Sequence, residues 1–196
     1  MIIAAAISLA AVFVGVNALP DGEEVDLPVE FSWGIPADVQ VFEGAVTEPQ
    51  GEEVKWDNEN HLELTWEKGR SYVLPFSAFS EEELKGVRYS GAGIPANFNL
   101  EWKDPWEEKW FSFKDLPEEK IKAEITEEDG FLTIDFGPPG GADFEEGLTR
   151  VAWFRITPTE TKQFELTVSG YKPLEENEEK AVVTNLLSAE IKIVGN

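Results

Sequence analysis

In Phe164-Glu-Leu-Thr-Val168, and again in Ala189-Glu-Ile-Lys-Ile193, apolar and polar residues alternate without a break. Successive side chains of a β-strand point to opposite sides, so each stretch predicts a strand with one buried and one solvated face. Ten runs of this kind, separated by turn-forming residues, predict a mainly β fold with an antiparallel sandwich or jelly-roll-like head. These runs are Val25–Trp33, Val39–Val46, Leu62–Trp66, Tyr72–Phe76, Phe98–Trp102, Trp110–Phe113, Phe131–Phe136, Thr149–Ile156, Phe164–Val168 and Ala189–Val194.

Two short helices are expected between the strands. Ser80-Glu-Glu-Glu83 has the spacing of a capping box, and Gly86 supplies a stop signal. Pro117-Glu-Glu-Lys120 has the features of a second helix start, because proline suits the first turn and acidic residues suit the positive end of the helix dipole. The following residues Ile121–Ile125 fit a strand equally well, so both interpretations stay open.

The composition is strongly acidic. The 196 residues include 39 Asp and Glu against 16 Lys and Arg, which gives a formal net charge of −23. Such a surface repels nucleic acid and anionic lipid headgroups and favours partners that carry positive charge. The acidic residues are mostly Glu, accompanied by Lys, which is typical of thermophile proteins. No cysteine is present, so neither disulfides nor thiolate metal sites contribute to the fold.

The charges are absent from one segment, Met1–Leu19, and all 55 charged residues follow it. The sequence predicts two units, a hydrophobic N-terminal segment (1–19), expected to be helical, and a β-sandwich domain (20–196). Two interpretations fit the segment. It has the length of a secretory signal cleaved after Ala18, although the usual basic start is missing. As a retained helix it would span roughly 27 Å, slightly less than the hydrocarbon core of a membrane.

Residues suited to catalysis or metal binding are few. His61 is the only histidine, which excludes histidine clusters and most Ser-His-Asp arrangements, and it is expected at the edge of a strand. Carboxylates are abundant, but no pair lies in a recognisable motif, so the chain is interpreted as not an enzyme. Three acidic turns could supply calcium ligands but match no known spacing, so no metal or other cofactor is predicted. They are Asp57–Asn60, Glu127–Gly130 and Asp143–Glu146.

The tryptophans suggest a contact surface. Trp102, Trp106 and Trp110 lie in or beside a predicted hairpin that joins Asn97–Trp102 to Trp110–Phe113. Flat aromatic rings on a β-sandwich can stack on sugars, so these residues are candidates for contact with cell-surface glycans or with a protein partner. Trp102 shares its register with core-facing neighbours and is expected to point inward, whereas Trp106 is the better candidate for exposure. A secreted carbohydrate-binding module is therefore one alternative function.

The stretch Ile2-Ile-Ala-Ala-Ala-Ile-Ser-Leu-Ala-Ala-Val-Phe-Val-Gly-Val16, attached to an all-β head punctuated by Gly and Pro, resembles the layout of archaeal type IV pilin-like filament subunits. In that family the apolar helices bundle in the filament core and the β heads form the outer surface. The present segment is shorter than is usual there and lacks an early Glu. A related alternative is a surface protein that polymerises by lending this segment to its neighbour as a β-strand.

The resemblance implies a structural, extracellular or cell-surface filament subunit with a role in adhesion. Its partner would be further copies of itself, in a homopolymer with the acidic β domain outward, and the segment could enter the membrane before assembly. No nucleic acid partner is expected. The residues assigned to assembly are Ile2, Ile3, Ile7, Leu9, Val12, Phe13, Val14 and Val16.

Overall fold

The computed structural model describes residues 25–103, 109–173, 182–183 and 185–195, with the backbone alone at 25, 26, 182 and 183. The assembly residues of the N-terminal segment, and Trp106, lie outside this part of the chain. No helix occurs within it, and it contains fifteen strands. They are β1 Val25–Asp26, β2 Glu30–Trp33, β3 Glu53–Asn58, β4 His61–Glu67, β5 Tyr72–Ser80, β6 Leu84–Pro95, β7 Asn99–Lys103, β8 Trp110–Ser112, β9 Lys122–Glu128, β10 Phe131–Gly137, β11 Ala142–Phe144, β12 Leu148–Thr157, β13 Gln163–Lys172, β14 Val182–Val183 and β15 Leu187–Val194.

The strands form two sheets. The larger sheet has the order β3-β4-β15-β13-β6-β10-β9, with β11 beside β6 and β14 between β1 and β13. The smaller sheet has the order β2-β5-β12-β7-β8. The β4–β15 and β1–β14 pairs are parallel, and the other described pairs are antiparallel. The prediction of a mainly β, predominantly antiparallel sandwich is confirmed.

The core lies between the two sheets, and aromatic rings fill its centre. Phe76 of the smaller sheet contacts Tyr89 of the larger sheet, with ring centroids 6.0 Å apart. Phe154 and Phe136 meet in the same way at 5.2 Å. The two alternating stretches behave as their pattern predicts, because every second side chain in Phe164–Val168 and in Ala189–Ile193 is buried and the residues between them are at least partly exposed.

The predicted strand Val39–Val46 is wrong. These residues belong to a loop, residues 34–52, which we call the cover loop. It lies against the outer face of the smaller sheet, where the Trp153 indole N–H donates to the Val46 carbonyl at 2.8 Å. The Phe42 ring packs on the same indole, with centroids 5.4 Å apart. The apolar residues of this stretch therefore reflect packing of a loop on a sheet rather than strand alternation.

Both predicted helices are also wrong. Ser80 is the last residue of β5, and its hydroxyl bonds the neighbouring backbone without starting a helix, because β6 begins at Leu84. The Pro117 carbonyl accepts hydrogen bonds from the N–H groups of Lys120 and Ile121, which makes a single turn. The strand alternative is confirmed immediately afterwards by β9. One turn offers too few hydrogen bonds to sustain a helix, so sheet pairing prevails.

Tyr89 makes the stability of the folded protein depend on pH in the alkaline range. Its side chain is buried beside the rings of Phe31 and Phe76, and burial raises the pKa of its phenol above the ordinary value. The folded state holds this proton more tightly than the unfolded state does. Stability from this group is therefore complete below about pH 10, the ordinary tyrosine pKa, and is lost above it at up to about 1.4 kcal/mol per pH unit.

We expect the urea midpoint of Tyr89→Phe to fall less steeply with rising pH than the urea midpoint of the parent protein. Urea midpoints measured between pH 8 and pH 11 test this, because Phe removes the titrating group and keeps the ring. The pKa values of Tyr72 and Tyr171 are also raised by burial, so the difference between the two curves is the quantity to compare. Parallel curves for the two proteins would contradict the prediction.

Candidate functional site

The outer face of the smaller sheet carries a cluster of aromatic and basic side chains beside the cover loop. The sheet register places Trp110 of β8 opposite Lys103 of β7, and Glu101 of β7 opposite Arg155 of β12. The cover loop adds Phe42, whose ring centroid lies 4.0 Å from the Lys103 ammonium. We call these five residues the aromatic–cation patch.

Trp110 is the centre of this patch. The guanidinium carbon of Arg155 lies 4.5 Å from the centroid of the indole, and the Lys103 ammonium lies 5.5 Å from it. A cation over an aromatic face is attracted by the ring quadrupole. Because both cations come from neighbouring strands, the pairing of β7, β8 and β12 fixes the surroundings of the indole.

Arg155 is held in place by Glu101. The guanidinium donates to both carboxylate oxygens, each at 2.5 Å, in a bidentate pair that is about a quarter exposed. This geometry is the most favourable for an arginine–carboxylate contact. It neutralises the Arg155 charge, so the positive charge that the patch offers to a partner comes chiefly from Lys103. The arrangement suits contact with an anionic or aromatic group.

The predicted hairpin of β7 and β8 is present, with the residues at its tip outside the described part. Trp102 points inward as its register predicts, is 9% exposed and stacks on Phe111 at 6.2 Å. Trp110 lies on the opposite face of the hairpin and is half-buried. Trp102 and Trp110 therefore do not form a shared platform.

Trp56 is an exposed aromatic residue that the sequence analysis did not single out. Its side chain is 52% exposed on β3, an edge strand of the larger sheet. Ile125, 41% exposed, lies on β9 at the opposite edge. A tryptophan directly before the polar turn Asp57–Asn60 was the available signal for exposure. The sequence alone does not show that Trp56 and Ile125 lie at opposite edges, because this follows from the order of the strands in the sheet.

His61 begins β4, and its Nδ1 lies 2.6 Å from the Ser188 hydroxyl of the parallel strand β15. The backbone of Ser188 is also hydrogen-bonded. Its N–H donates to the Asn60 carbonyl, and its carbonyl accepts from the Trp33 indole N–H. The hydrogen bond between His61 and Ser188 therefore stabilises the first pair of residues in the parallel β4–β15 ladder. This agrees with the expected place of His61 at the start of a strand.

Of the three acidic turns predicted from the sequence, two use a side-chain oxygen in a hydrogen bond within the chain, and the third forms a tight turn. The Asn60 N–H donates to the Asn58 side-chain oxygen at 2.9 Å, and Asp129 and Gly130 form the tight turn between β9 and β10 with positive φ angles. Asp143 accepts from the Gly86 N–H at 3.1 Å. Within the described ranges, no group of three or more His, Cys, Asp or Glu is arranged to hold a metal ion. No helix long and apolar enough to cross a membrane is found in the same ranges.

No family model matches the chain. No curated protein matches it either. Among solved structures, a cohesin module from a Clostridium perfringens family 33 glycoside hydrolase is 16% identical, with a TM-score of 0.41 over 74% of this chain and 96% of that one. The collagen-binding subdomain of the Enterococcus faecalis surface protein ACE is 14% identical, with a TM-score of 0.32 over 65% and 93%.

A third structure is that of AvmM, which catalyses macrocyclization in alchivemycin A biosynthesis. It is 13% identical, with a TM-score of 0.41 over 67% of this chain and 84% of that one. The three are a cohesin module, a collagen-binding subdomain and a protein that catalyses macrocyclization. Similarity at this level carries no conclusion about the function of this chain, so its function is argued from its own residues.

Proposed function

We propose that the protein is a structural subunit of an extracellular or cell-surface filament. In this assembly the apolar segments Met1–Leu19 of neighbouring copies associate, and the acidic β-sandwiches face outward. The observation that carries the proposal is the separation of charge along the chain, with 19 uncharged residues followed by all 55 charged ones. Such a segment gains free energy when other apolar surface covers it.

The energetics favour association of the segments. Burial contributes about 0.8 kcal/mol for each CH₂ group, so covering several Ile, Leu, Val and Phe side chains stabilises the contact by many kcal/mol per copy. The heads oppose it, because each full chain carries a formal charge of −23. Salt screens this repulsion over about 10 Å at 0.1 M, so assembly is expected to strengthen as ionic strength rises.

The sandwich supports this division of roles because it has a core of its own. Its buried cluster extends from Leu27 in the connection before β2 to Ile193 in β15 and joins both sheets. A head with such a core can be displayed outside an apolar contact. The acidic surface then keeps the assembled copies soluble.

We expect deletion of Met1–Leu19 to convert a polymer into single β-sandwich domains. Analytical ultracentrifugation and electron microscopy of the full chain and of the deletion variant measure the change. The variant Ile3→Asp/Val12→Asp keeps the length of the segment and adds two charges, so it should also fail to polymerise. A truncated chain that forms the same polymer would overturn the proposal, and so would native protein that begins at Leu19 and sediments as one copy.

A further inference from the structure

We infer that the two edges of the larger sheet, β3 and β9, pair with each other between neighbouring copies of this chain. Among the described residues β3 pairs with β4 alone and β9 pairs with β10 alone, so each presents unpaired backbone groups on its other side. The inference rests on the proposed filament and names the contact that the heads make within it. The partner of each edge is a second copy.

The strand directions suit this contact. Six neighbour steps lead from β3 to β9, and five of them are antiparallel while the β4–β15 step is parallel. The two edge strands therefore run in opposite directions. A second copy placed beside the first in the same orientation brings its β3 antiparallel to β9, with the core-facing sides of both sheets aligned. This contact joins two different surfaces, so it repeats into an open chain instead of closing as a dimer.

Both edges expose apolar side chains on the same side of the sheet. Trp56 of β3 is paired with the buried Leu62, and Ile125 of β9 is paired with the buried Ile134. Each therefore lies on the core-facing side, yet each is more than two-fifths exposed. Pairing of the edges covers both residues.

The charges of the two strands select one register. When Lys55 lies opposite Glu124, antiparallel pairing sets Val54 against Ile125 and Glu53 against Thr126. Lys55 already lies opposite Glu63 of β4, so it would then stand between two carboxylates. Opposite charges directly across a sheet stabilise the pairing, and like charges destabilise it.

The neighbouring registers are worse. A shift of two residues one way places Lys55 against Lys122, and the same shift the other way places Glu53 against Glu128. A shift of one residue turns the apolar side chains of one strand to the polar face of the other. Charged residues commonly keep sheet edges apart, but here the two signs stand at complementary positions. The irregularity beside Asp57 limits the ladder to Glu53–Trp56.

Cross-linking tests the register directly, because the chain contains no cysteine. The full-length variants Glu53→Cys and Thr126→Cys are mixed and oxidised. Both positions are exposed, and neither change alters Lys55 or Glu124 itself, while Glu53→Cys removes the carboxylate that lies 3.2 Å from the Lys55 ammonium. Cα atoms of directly opposed residues lie about 4.5–5.5 Å apart, within the range of a disulfide. We expect a covalent dimer from this mixture, and a ladder of multimers from the variant that carries both cysteines.

The matched control pairs Glu53→Cys with Glu128→Cys, which is also exposed but belongs to the shifted register. Equal yields from both mixtures would overturn the inference. In the first mixture, Lys55→Glu in the Glu53→Cys chain, or Glu124→Lys in the Thr126→Cys chain, should lower the yield roughly three- to tenfold. Both reversals together should recover part of the yield, because they re-form an opposite-charge pair between the copies, while Lys55→Glu still faces Glu63 within its own chain. Absence of this recovery would also overturn the edge contact.

The two proposals fail in different ways. If deletion of Met1–Leu19 abolishes the polymer while the two cysteine mixtures give equal yields, the edge contact is wrong and the filament function stands. If the register-specific disulfide forms and is partly recovered by the double reversal while the deletion leaves the polymer unchanged, the apolar segment is not the organiser. The edge contact then stands without it.

Discussion

Gly93→Ala is expected to lower the free energy of unfolding by about 3 kcal/mol or more, a large fraction of the roughly 5–15 kcal/mol that is typical of folded domains. Gly93 lies in β6 with a φ of +83°, beside an irregularity in the pairing of β6 with β10. A Cβ atom there would lie 2.0 Å from the Glu165 carbonyl oxygen on β13. The obstacle is backbone, so no side-chain rotation can relieve it. The change must force β6 and β13 apart at the centre of the larger sheet.

Urea unfolding followed by tryptophan fluorescence measures this loss. Gly69→Ala is a matched control, because Gly69 also has a φ of +83° but has open space where the Cβ would be. The expected loss of stability in Gly69→Ala is only the cost of holding alanine at a positive φ, about 1–2 kcal/mol. Equal losses in the two variants would show that the contact with β13 is not what requires glycine at position 93.

Trp153→Ala is expected to destabilise the protein by about 3–5 kcal/mol, the range for removing a large buried aromatic side chain. Trp153 is 1% exposed although it lies on the outer face of its sheet, because the cover loop lies over it. The substitution removes both the hydrogen bond to Val46 and the surface against which Phe42 packs. The cover loop should therefore become accessible to proteases at residues 34–52 before the sandwich unfolds.

Limited proteolysis with mass spectrometry identifies the first cleavage site, and urea unfolding gives the loss of stability. Trp56→Ala is the control, measured like the other variants in the protein that lacks Met1–Leu19. It removes the same side chain from a position that is 52% exposed in the single chain and should change stability by less than about 1 kcal/mol. Trp153→Phe should fall between the two, because it keeps a ring and loses the hydrogen bond. Cleavage of the cover loop at the same rate in the parent and in Trp153→Ala would contradict its anchoring role.

Alternation of apolar and polar residues correctly predicted strands that have one buried and one solvent-exposed face. β13 and β15 meet this condition, and so does β7, where the register of Trp102 correctly placed its side chain inward. β6 escaped notice because the glycines at 86, 91 and 93 have the appearance of turns. Two of these three, Gly86 and Gly93, do have positive φ, but sheet pairing on both sides holds the strand together.

The remaining features depend on contacts between distant residues. The pairing of His61 with Ser188 joins positions 127 residues apart, and no local periodicity in the sequence predicts it. The same holds for the aromatic–cation patch, in which Phe42, Lys103 and Arg155 come from three separate regions of the chain. Val39–Val46 was predicted as a strand and is not one, because the apolar residues of a loop that packs on a sheet can follow the same pattern as a strand.

The central place of β15 determines when this protein can fold. Residues 187–194 fill the gap between β4 and β13, so the ribosome must make almost the whole described chain before the larger sheet can close. Until then the side of β4 and the side of β13 that face β15 have no partner strand, and pairing over so long a separation in sequence is slow. The larger sheet is therefore expected to close late in synthesis, after the strands of the smaller sheet have already been made.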